Sequence, residues 1–341
     1  MQANRSLMTD PLRVLLLQLD GKLPNVALMR IAAHHRALGD EVELRRAGNL
    51  RSLEPRLWDK HDTVYGSLIF EQSRPLALRL LKAHPGAVVG GTGWKVSSNL
   101  EEHGITTTEQ DYSIYPAFQS SIGFLQRGCR LRCPFCVVPV KEGKVRHEQT
   151  VEELWRGAPW PRELLLLDND FFGNPQWRER ITEIRDGNFK VSFSQGINCR
   201  AIGPEEAEAL ASVNYRDDGM KVKRIYTAWD NKKDEKRLFR GLQLLVDAGV
   251  KPDNIMVYIL IGYWPGETTE DREYRRAQLR EFGARPYPMP FVRTPELVGF
   301  QRWIIGAYDK TVPWSDWVSA RYRPERLDLK SAQPSLWGAT T

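Results

Sequence analysis

Three of the four cysteines in this chain lie within one stretch of eight residues. They are Cys129, Cys133 and Cys136, spaced C-x3-C-x2-C after the apolar run at residues 122–125. Three thiolates can ligate three irons of a cubane iron–sulfur cluster, and close spacing lets one short loop wrap around it. The fourth iron would then be open to a small ligand.

Zinc and disulfide bonds are the competing explanations for these cysteines. A closed zinc site needs a fourth ligand, usually from a second C-x2-C or H-x3-H pair, and no such pair follows. Disulfides are typical of secreted chains, whereas the N-terminal residues here lack the apolar core of a secretory signal. We therefore expect a reducing, cytoplasmic location, which an oxygen-sensitive cluster also requires.

Composition is that of an ordinary soluble globular protein. The 341 residues are 41% hydrophobic and 27% charged, with a net charge of +6. The charges are interleaved rather than collected in a run, so a solvated surface is the default interpretation. No apolar stretch approaches the ~20 residues of a membrane helix, so we expect no membrane partner. Nucleic acid remains a possible partner of the basic stretch at residues 141–146.

The N-terminal third alternates apolar strand-like runs with helical patterns. Strand candidates are residues 14–19, 41–44, 63–70 and 87–93, and helix candidates are residues 26–38 and 75–83. This alternation predicts a small, open, parallel sheet of Rossmann type, which we assign to a domain of residues 1–112.

Residues 113–295 predict six further strand–helix units. Strand candidates are residues 119–125, 164–167, 190–194, 224–228, 255–261 and 288–292, and helix candidates are residues 151–156, 176–185, 204–213, 233–248 and 269–282. In a parallel barrel the functional residues gather at the C-terminal ends of the strands, which is where the cysteines fall. Residues 296–341 are rich in aromatics and predict a helical extension.

The cysteine spacing, with Phe135 between the second and third cysteines, resembles the signature of radical S-adenosylmethionine enzymes. In that family the three cysteines hold a 4Fe-4S cluster, and S-adenosylmethionine chelates the open iron. One-electron reduction then releases a 5'-deoxyadenosyl radical that abstracts hydrogen from a substrate. The resemblance implies an α/β fold with a partial (β/α)6 TIM-like barrel, and a reducing electron donor of flavodoxin or ferredoxin type.

Polar residues at the strand ends resemble the cofactor-binding positions of the family. Asp168, Asn169 and Asp170 follow four leucines, where a carboxylate or amide could grip the methionine ammonium group, although a capping turn also explains them. The other cofactor-binding positions implied by the resemblance are Phe135, Ser194, Gln195, Asn198, Arg200, Asn231 and Gly262. Arg200 is the best match for a carboxylate partner, because its guanidinium can bind in a bidentate pair.

Cys199 and Asp230 are the candidate catalytic residues. Cys199 is the one cysteine outside the motif, and it could relay a radical or accept a covalent bond, or be a free core cysteine. Asp230 follows the fourth strand of the predicted barrel, where a carboxylate could also bond the ribose hydroxyls.

The N-terminal region resembles the cobalamin-binding-like domain found in one subgroup of the family. In that domain the loop after the first strand can supply a histidine ligand to the cobalamin. The corresponding loop here, residues 20–25, contains no histidine. Cobalamin could still bind without a protein ligand, so a cobalamin-dependent radical methyltransferase is one alternative. A non-catalytic iron–sulfur or zinc protein that binds nucleic acid is the other.

Overall fold

The computed structural model describes residues 10–47, 53 and 60–321, which divide between Phe118 and Gln119 into two compact units. The predicted first domain also includes residues 1–9, and the predicted extension includes residues 322–341. Those two segments lie outside the described residues.

The first unit is built on a parallel sheet with the strand order β2-β1-β3-β4. Its elements are β1 (Arg13–Gln18), α1 (Val26–Ala37), β2 (Glu41–Arg46), β3 (Thr63–Ser67), α2 (Arg74–Ala83) and β4 (Val88–Gly90). The inner strand β1 is apolar on both faces. Leu15 and Leu17 enter one core, and Val14 and Leu16 enter the other. A strand covered on both faces reads as a continuous apolar run, as the sequence predicts.

The second unit contains the cysteines and alternates strands with helices. Its strands are β5 (Ser121–Gly123), β6 (Gln126–Arg127), β7 (Arg146–His147), β8 (Glu163–Leu166), β9 (Lys190–Phe193), β10 (Asn214–Tyr215), β11 (Ile225–Ala228), β12 (Ile255–Ile261) and β13 (Arg285–Pro290). Its helices are α3 (Val138–Lys141), α4 (Val151–Leu154), α5 (Trp177–Asp186), α6 (Pro204–Ser212), α7 (Glu235–Asp247), α8 (Thr269–Glu281), α9 (Pro295–Ile305) and α10 (Trp314–Arg321).

Two parallel sheets carry this second unit, with the orders β10-β9-β8-β5 and β11-β12-β13. Alternate residues on the strands point to opposite faces. Phe193 and Val257 belong to a core shared with the helices, whereas Ser192, Tyr226 and Tyr258 lie outside that core. The prediction of an α/β protein with parallel sheets is confirmed. The described strands of the second unit form two parallel sheets and a small antiparallel pair, β6 with β7, and no closed barrel.

The last predicted strand is displaced along the chain. The sequence predicts residues 288–292, and the strand is Arg285–Pro290. Proline lacks the N–H that a sheet interior needs, which disfavours a strand through Pro286, Pro288 and Pro290. Here β13 is an edge strand. Because successive residues of a strand alternate in direction, the backbone nitrogens of all three prolines face away from β12. The carbonyl of Pro288 on that outer side accepts a hydrogen bond from Gln301 Nε2 at 2.8 Å.

Within the described ranges, no helix has both the length and the apolar character needed to cross a membrane.

Candidate functional site

The cysteines lie on a loop, residues 128–143, that follows β6 and contains α3; we call it the cysteine loop. Its ends meet, because the Cys129 N–H donates to the Gly143 carbonyl at 3.4 Å. Gly128 has a φ of +85°, and a Cβ there would clash with the backbone of Lys144 and Gly143. Only glycine fits that position, so the sequence Gly-Cys begins the loop for a steric reason.

Asp170 fastens the cysteine loop to the end of β8. The Arg130 side chain donates from Nε to Asp170 Oδ2 at 2.8 Å and from Nη2 to Oδ1 at 3.0 Å. The Arg130 backbone N–H also donates to Oδ2, at 3.0 Å. Asp170 is buried, and a Cβ on Gly173 would clash with its carboxylate. A bidentate pair of this kind fixes orientation as well as distance.

The two residues before Asp170 are also held by protein groups. Asp168 Oδ1 accepts the Leu125 N–H at 2.9 Å, and burial raises the Asp168 pKa well above its usual value. Asn169 Nδ2 donates to Glu142 Oε2, which also accepts the Gly128 N–H. The strand-end side chains thus brace the cysteine loop and the strand before it. Their binding of the methionine ammonium group stays a prediction.

The three motif thiols are half-buried and close enough to influence one another electrostatically. Burial raises the pKa of Cys129 to about 11, and it raises the pKa values of Cys133 and Cys136 as well. Cys129 Sγ accepts the Leu131 N–H at 3.4 Å, and the Arg200 guanidinium partly opposes the rise in the Cys133 pKa. A metal must therefore displace protons from these thiols, so binding becomes weaker as pH falls.

Among the described residues the three thiols are not grouped as the ligands of a single metal ion, and their binding of a cluster stays a prediction. No three His, Cys, Asp or Glu side chains in the described part of the chain converge as ligands of one metal ion. A cubane cluster places its three thiolates on three different irons, so they need not converge on one point. A hydrogen bond to sulfur, such as the one that Cys129 Sγ accepts, is typical of the surroundings that tune clusters.

Phe135 connects the cysteine loop to the ends of β12 and β13. Its ring lies edge-to-face with Tyr263 at 5.3 Å and with Trp264 at 6.4 Å between centroids. Tyr263 in turn contacts Phe291 at 4.7 Å, and Trp264 Nε1 donates to the Asp230 carbonyl at 2.6 Å. Sequence reasoning missed Tyr263, Trp264 and Phe291. Aromatic residues directly after a buried strand were the signal available for finding them.

Arg200 lies in the segment after β9, close enough to Cys133 to influence the pKa of that thiol. Its Nη1 donates to Asp234 Oδ2 at 2.5 Å and its Nε to Asn198 Oδ1 at 3.2 Å. The structure therefore places Arg200 in the site with partners from the protein itself. Asn198 Nδ2, by contrast, is buried and lacks a hydrogen-bond partner among the described residues.

Asp230 is the carboxyl group of the site that the protein leaves open. Among the described residues no hydrogen bond or ion pair reaches its carboxylate. The negative charge of Asp230 contributes to the raised pKa values of Cys133 and Cys136. Burial raises the pKa of Asp230 to about 6, an effect that Arg200 and Arg275 partly oppose. The neighbouring Asn231 uses its Oδ1 to cap the following turn at the Lys233 N–H.

Three other predicted positions lie at neighbouring strand ends. Ser194 Oγ donates to Asp218 Oδ2 at 3.3 Å, beside a shorter bond from Ser192, and Gln195 is exposed. Gly262 has a φ of +77°, and a Cβ there would clash with the Leu297 side chain. Cofactor binding at Gly262 remains a prediction.

Cys199 lies in the hydrophobic core. Its exposed fraction is 0%, and burial raises its pKa to about 12 despite a hydrogen bond with Thr227. A thiol with this environment is protonated and shielded, which favours the core-cysteine interpretation over a catalytic role.

The described strand-end loops of the first unit are held by hydrogen bonds within the protein, and cobalamin binding there stays a prediction. Both oxygens of Asp20, in the loop after β1, accept backbone N–H groups, from Ile69 at 2.7 Å and Phe70 at 2.9 Å. Gln18 Nε2 donates to three carbonyls of the same loop. A Cβ on Gly91 would clash with the Leu68 backbone, so the strand ends pack directly on one another. Asp20, Gln18 and Leu68 therefore lie at the C-terminal ends of the strands, the edge at which a doubly wound sheet binds its ligand.

In comparisons with known proteins, no family model, no curated protein and no solved structure matches this chain. Its function therefore has to be inferred from the residues of the site.

Proposed function

We propose that the protein is a radical S-adenosylmethionine enzyme in which Cys129, Cys133 and Cys136 bind a 4Fe-4S cluster. The observation that carries this proposal is the cysteine loop itself. Three half-buried thiols lie on one loop, clamped by Asp170, that follows the parallel strand β5 and the short antiparallel strand β6. When bound, such a cluster supplies one electron to S-adenosylmethionine, which divides into methionine and a 5'-deoxyadenosyl radical that abstracts a substrate hydrogen atom.

The protein's own residues would orient the cofactor and exclude water. Phe135, Tyr263 and Trp264 form an aromatic wall beside the thiols, which lowers the local access of water and oxygen. Asp230 is free to accept a hydrogen bond from the ribose or ammonium group of S-adenosylmethionine. Above about pH 6 it carries the negative charge that suits a cationic cofactor.

We further propose that the second unit is the partial barrel of this family and the first a Rossmann-like domain. The Ile197 N–H donates to the Tyr226 carbonyl at 2.7 Å, so a backbone hydrogen bond links the two sheets just beyond β9. Six of the parallel strands are each followed by a helix in the order that the family resemblance implies. The candidate site residues then belong to the C-terminal ends of those strands, as in barrel enzymes.

An acidic electron carrier of flavodoxin or ferredoxin type is the partner we propose. Residues 127–148 contain six basic residues and two acidic ones. The two acidic side chains, Glu142 and Glu148, pair with Arg127, whereas Arg132, Lys144 and Arg146 are exposed. A basic surface next to the thiols would steer an acidic carrier to where an electron is needed.

Anaerobic reconstitution with iron and sulfide tests the proposed function. The expected product holds about four iron and four sulfide per chain and, with dithionite, cleaves S-adenosylmethionine to 5'-deoxyadenosine and methionine. Cys129→Ser, Cys133→Ser and Cys136→Ser each lose the cluster and the cleavage. Cys199→Ala, the matched control, keeps its iron. Stoichiometric zinc in place of iron, with no cleavage, would contradict the proposal.

A further inference from the structure

Three tyrosines share the side of the β11–β12–β13 sheet that points away from the helical core; we call them the tyrosine face. They are Tyr226, Tyr258 and Tyr287, one on each strand. The rings of Tyr226 and Tyr258 are parallel within 2°, with centroids 5.8 Å apart, and the Tyr287 ring stands edge-on to Tyr258 at 5.5 Å. Tyr258 and Tyr287 are half-buried, and their hydroxyls make no hydrogen bond to another described residue.

A carboxylate borders the tyrosine face from the loop after β10. Asp218 Oδ1 accepts the Ser192 hydroxyl at 2.6 Å, and its Oδ2 accepts the Ser194 hydroxyl at 3.3 Å. Both serines are on β9, whose C-terminal end meets β11 through the hydrogen bond from the Ile197 N–H to the Tyr226 carbonyl. Burial raises the pKa of Tyr226 to about 12, and the negative charge of Asp218 adds to that rise. Asp218 is therefore close to the tyrosine rings.

No basic side chain of the described residues forms an ion pair with Asp218. Two arginines on the neighbouring strands turn elsewhere, because Arg224 Nη1 and Arg285 Nε both donate to the Asp253 carbonyl at 2.7 Å. A carboxylate beside the faces of aromatic rings is a combination that binds a positively charged nitrogen group, since the carboxylate and the ring faces both attract cations.

The tyrosine face leads to the strand ends that carry the candidate site. Tyr258 is the register partner of Ala228 on one side and of Tyr287 on the other. Alanine places only a methyl group beside the Tyr258 ring, and Asp230 follows Ala228 by two residues. A molecule bound on the tyrosine face would thus extend toward Asp230 and the cofactor positions.

We propose that the tyrosine face and Asp218 bind the substrate of the enzyme, through a positively charged nitrogen group of the substrate such as an ammonium or a guanidinium. Ser194, a predicted cofactor-binding residue, then acts by orienting the carboxylate of Asp218. The substrate role rests on the proposed function, whereas the binding of a cation on this face does not require the cluster.

The test is a ligand-observed NMR titration of the full-length, metal-free, reduced chain with two probes. Benzylamine is a cation at neutral pH, and benzyl alcohol is a neutral molecule of similar shape. Benzylamine should bind about tenfold more tightly than benzyl alcohol, because only the amine gains from the carboxylate and the ring faces. Its proton resonances should also move upfield, as expected for a group held over aromatic rings.

Variants assign the binding to this face. Asp218→Asn removes the charge and keeps the shape, so it should weaken benzylamine about tenfold and leave benzyl alcohol unchanged. Tyr258→Leu should weaken benzylamine about fivefold, whereas Tyr258→Phe keeps the ring and should bind like wild type. Asp186→Asn and Tyr274→Leu make the same changes at exposed positions elsewhere, and both should bind like wild type.

Equal affinities for the two probes in the wild type, or no binding of benzylamine, would overturn the inference and leave Asp218 as a support of its own loop. This comparison needs no variant, so it holds even if a substitution prevents folding. If Asp218→Asn weakens S-adenosylmethionine binding to the cluster-loaded chain and leaves benzylamine unchanged, the face belongs to the cofactor and the inference is wrong. Failure to assemble a cluster overturns the proposed function, and the substrate role with it, even where benzylamine binds. A cluster-loaded chain that cleaves S-adenosylmethionine but does not bind benzylamine overturns the inference alone.

Discussion

Asp230 shows how one half-buried carboxyl group can be both costly and useful. Burial raises its pKa to about 6, and no hydrogen bond from the described residues stabilises its charged form. Enzymes commonly keep such destabilised groups where a ligand will complete the environment. For Asp230 the completing group would be a hydrogen-bond donor or cation of the bound cofactor.

The pH dependence of stability follows from the sign of this shift. A raised carboxyl pKa means that the folded protein binds the proton more tightly than the unfolded chain does. The stabilisation is complete below about pH 4 and is lost as pH rises through about 6. We therefore expect Asp230→Asn, in the metal-free reduced protein, to be more stable than wild type above pH 6, by up to about 3 kcal/mol.

Denaturant unfolding at pH 4 and at pH 7.5 measures this prediction. The difference between Asp230→Asn and wild type should appear at the higher pH and disappear at the lower one. Asp186→Asn, which changes an exposed carboxylate paired with Arg185, serves as control and should show no such difference. An equal difference at both pH values would mean that the charge of Asp230 is not its cause.

The cysteine loop depends on contacts with the segment after β8 more than on its own short helix. Arg130 and Asp170 share three hydrogen bonds, and Gly173 leaves the room that the carboxylate needs. Glu142 adds a second fastening, through Gly128 and Asn169. Two segments distant in sequence thereby fix the loop that carries the thiols, which under the proposed function lowers the ordering cost of metal binding.

Asp170→Ala should loosen the loop and reduce iron retention. The variant loses hydrogen bonds to a buried charged group, so the metal-free protein should lose about 2 kcal/mol of unfolding free energy. Iron per chain after reconstitution, followed by challenge with a chelator, measures the effect on the site. Glu205→Ala breaks the exposed pair with Arg178 and should change neither quantity measurably. Iron content equal to wild type in Asp170→Ala would show that the clamp is dispensable.

Charge is unevenly placed at the scale of the whole molecule. The net charge of +6 over 341 residues is modest, yet the stretch around the thiols is strongly basic on its exposed side. Its acidic residues, Glu142 and Glu148, both form ion pairs with Arg127, and Glu142 also accepts the Gly128 N–H. Such local asymmetry acts mainly on the rate of association with a charged partner.

The double variant Lys144→Glu/Arg146→Glu should slow cleavage of S-adenosylmethionine driven by a reduced acidic carrier. At low salt we expect a loss of about tenfold or more, decreasing as salt screens the charges. The rate with a small chemical reductant should change far less. Lys236→Glu/Lys251→Glu makes the same change in net charge at exposed positions elsewhere, and its rates should match wild type. Equal losses of cleavage rate with the carrier and with the chemical reductant would refute docking of the carrier at Lys144 and Arg146. If the double variant loses binding of nucleic acid and keeps its carrier-driven rate, nucleic acid is the favoured partner.

Local patterns were sufficient for much of the fold. Apolar runs and helical periodicity predicted the alternation of strands and helices, because both depend on residues close in sequence. The bounds of β13 were predicted wrongly. Proline is tolerated within this strand because the strand lies at the edge of its sheet. Edge position follows from strand order, which no single segment encodes.

The sequence by itself determined the α/β class of the fold, the cysteine spacing and the grouping of polar residues at strand ends. Tertiary structure alone decided what those polar residues contact. Asp170 binds an arginine 40 positions earlier, and Arg200 binds an aspartate 34 positions later. Partners so far apart meet only when parallel strands bring their C-terminal ends together, and the fold, rather than residue type, therefore determines which side chains stay free for a cofactor.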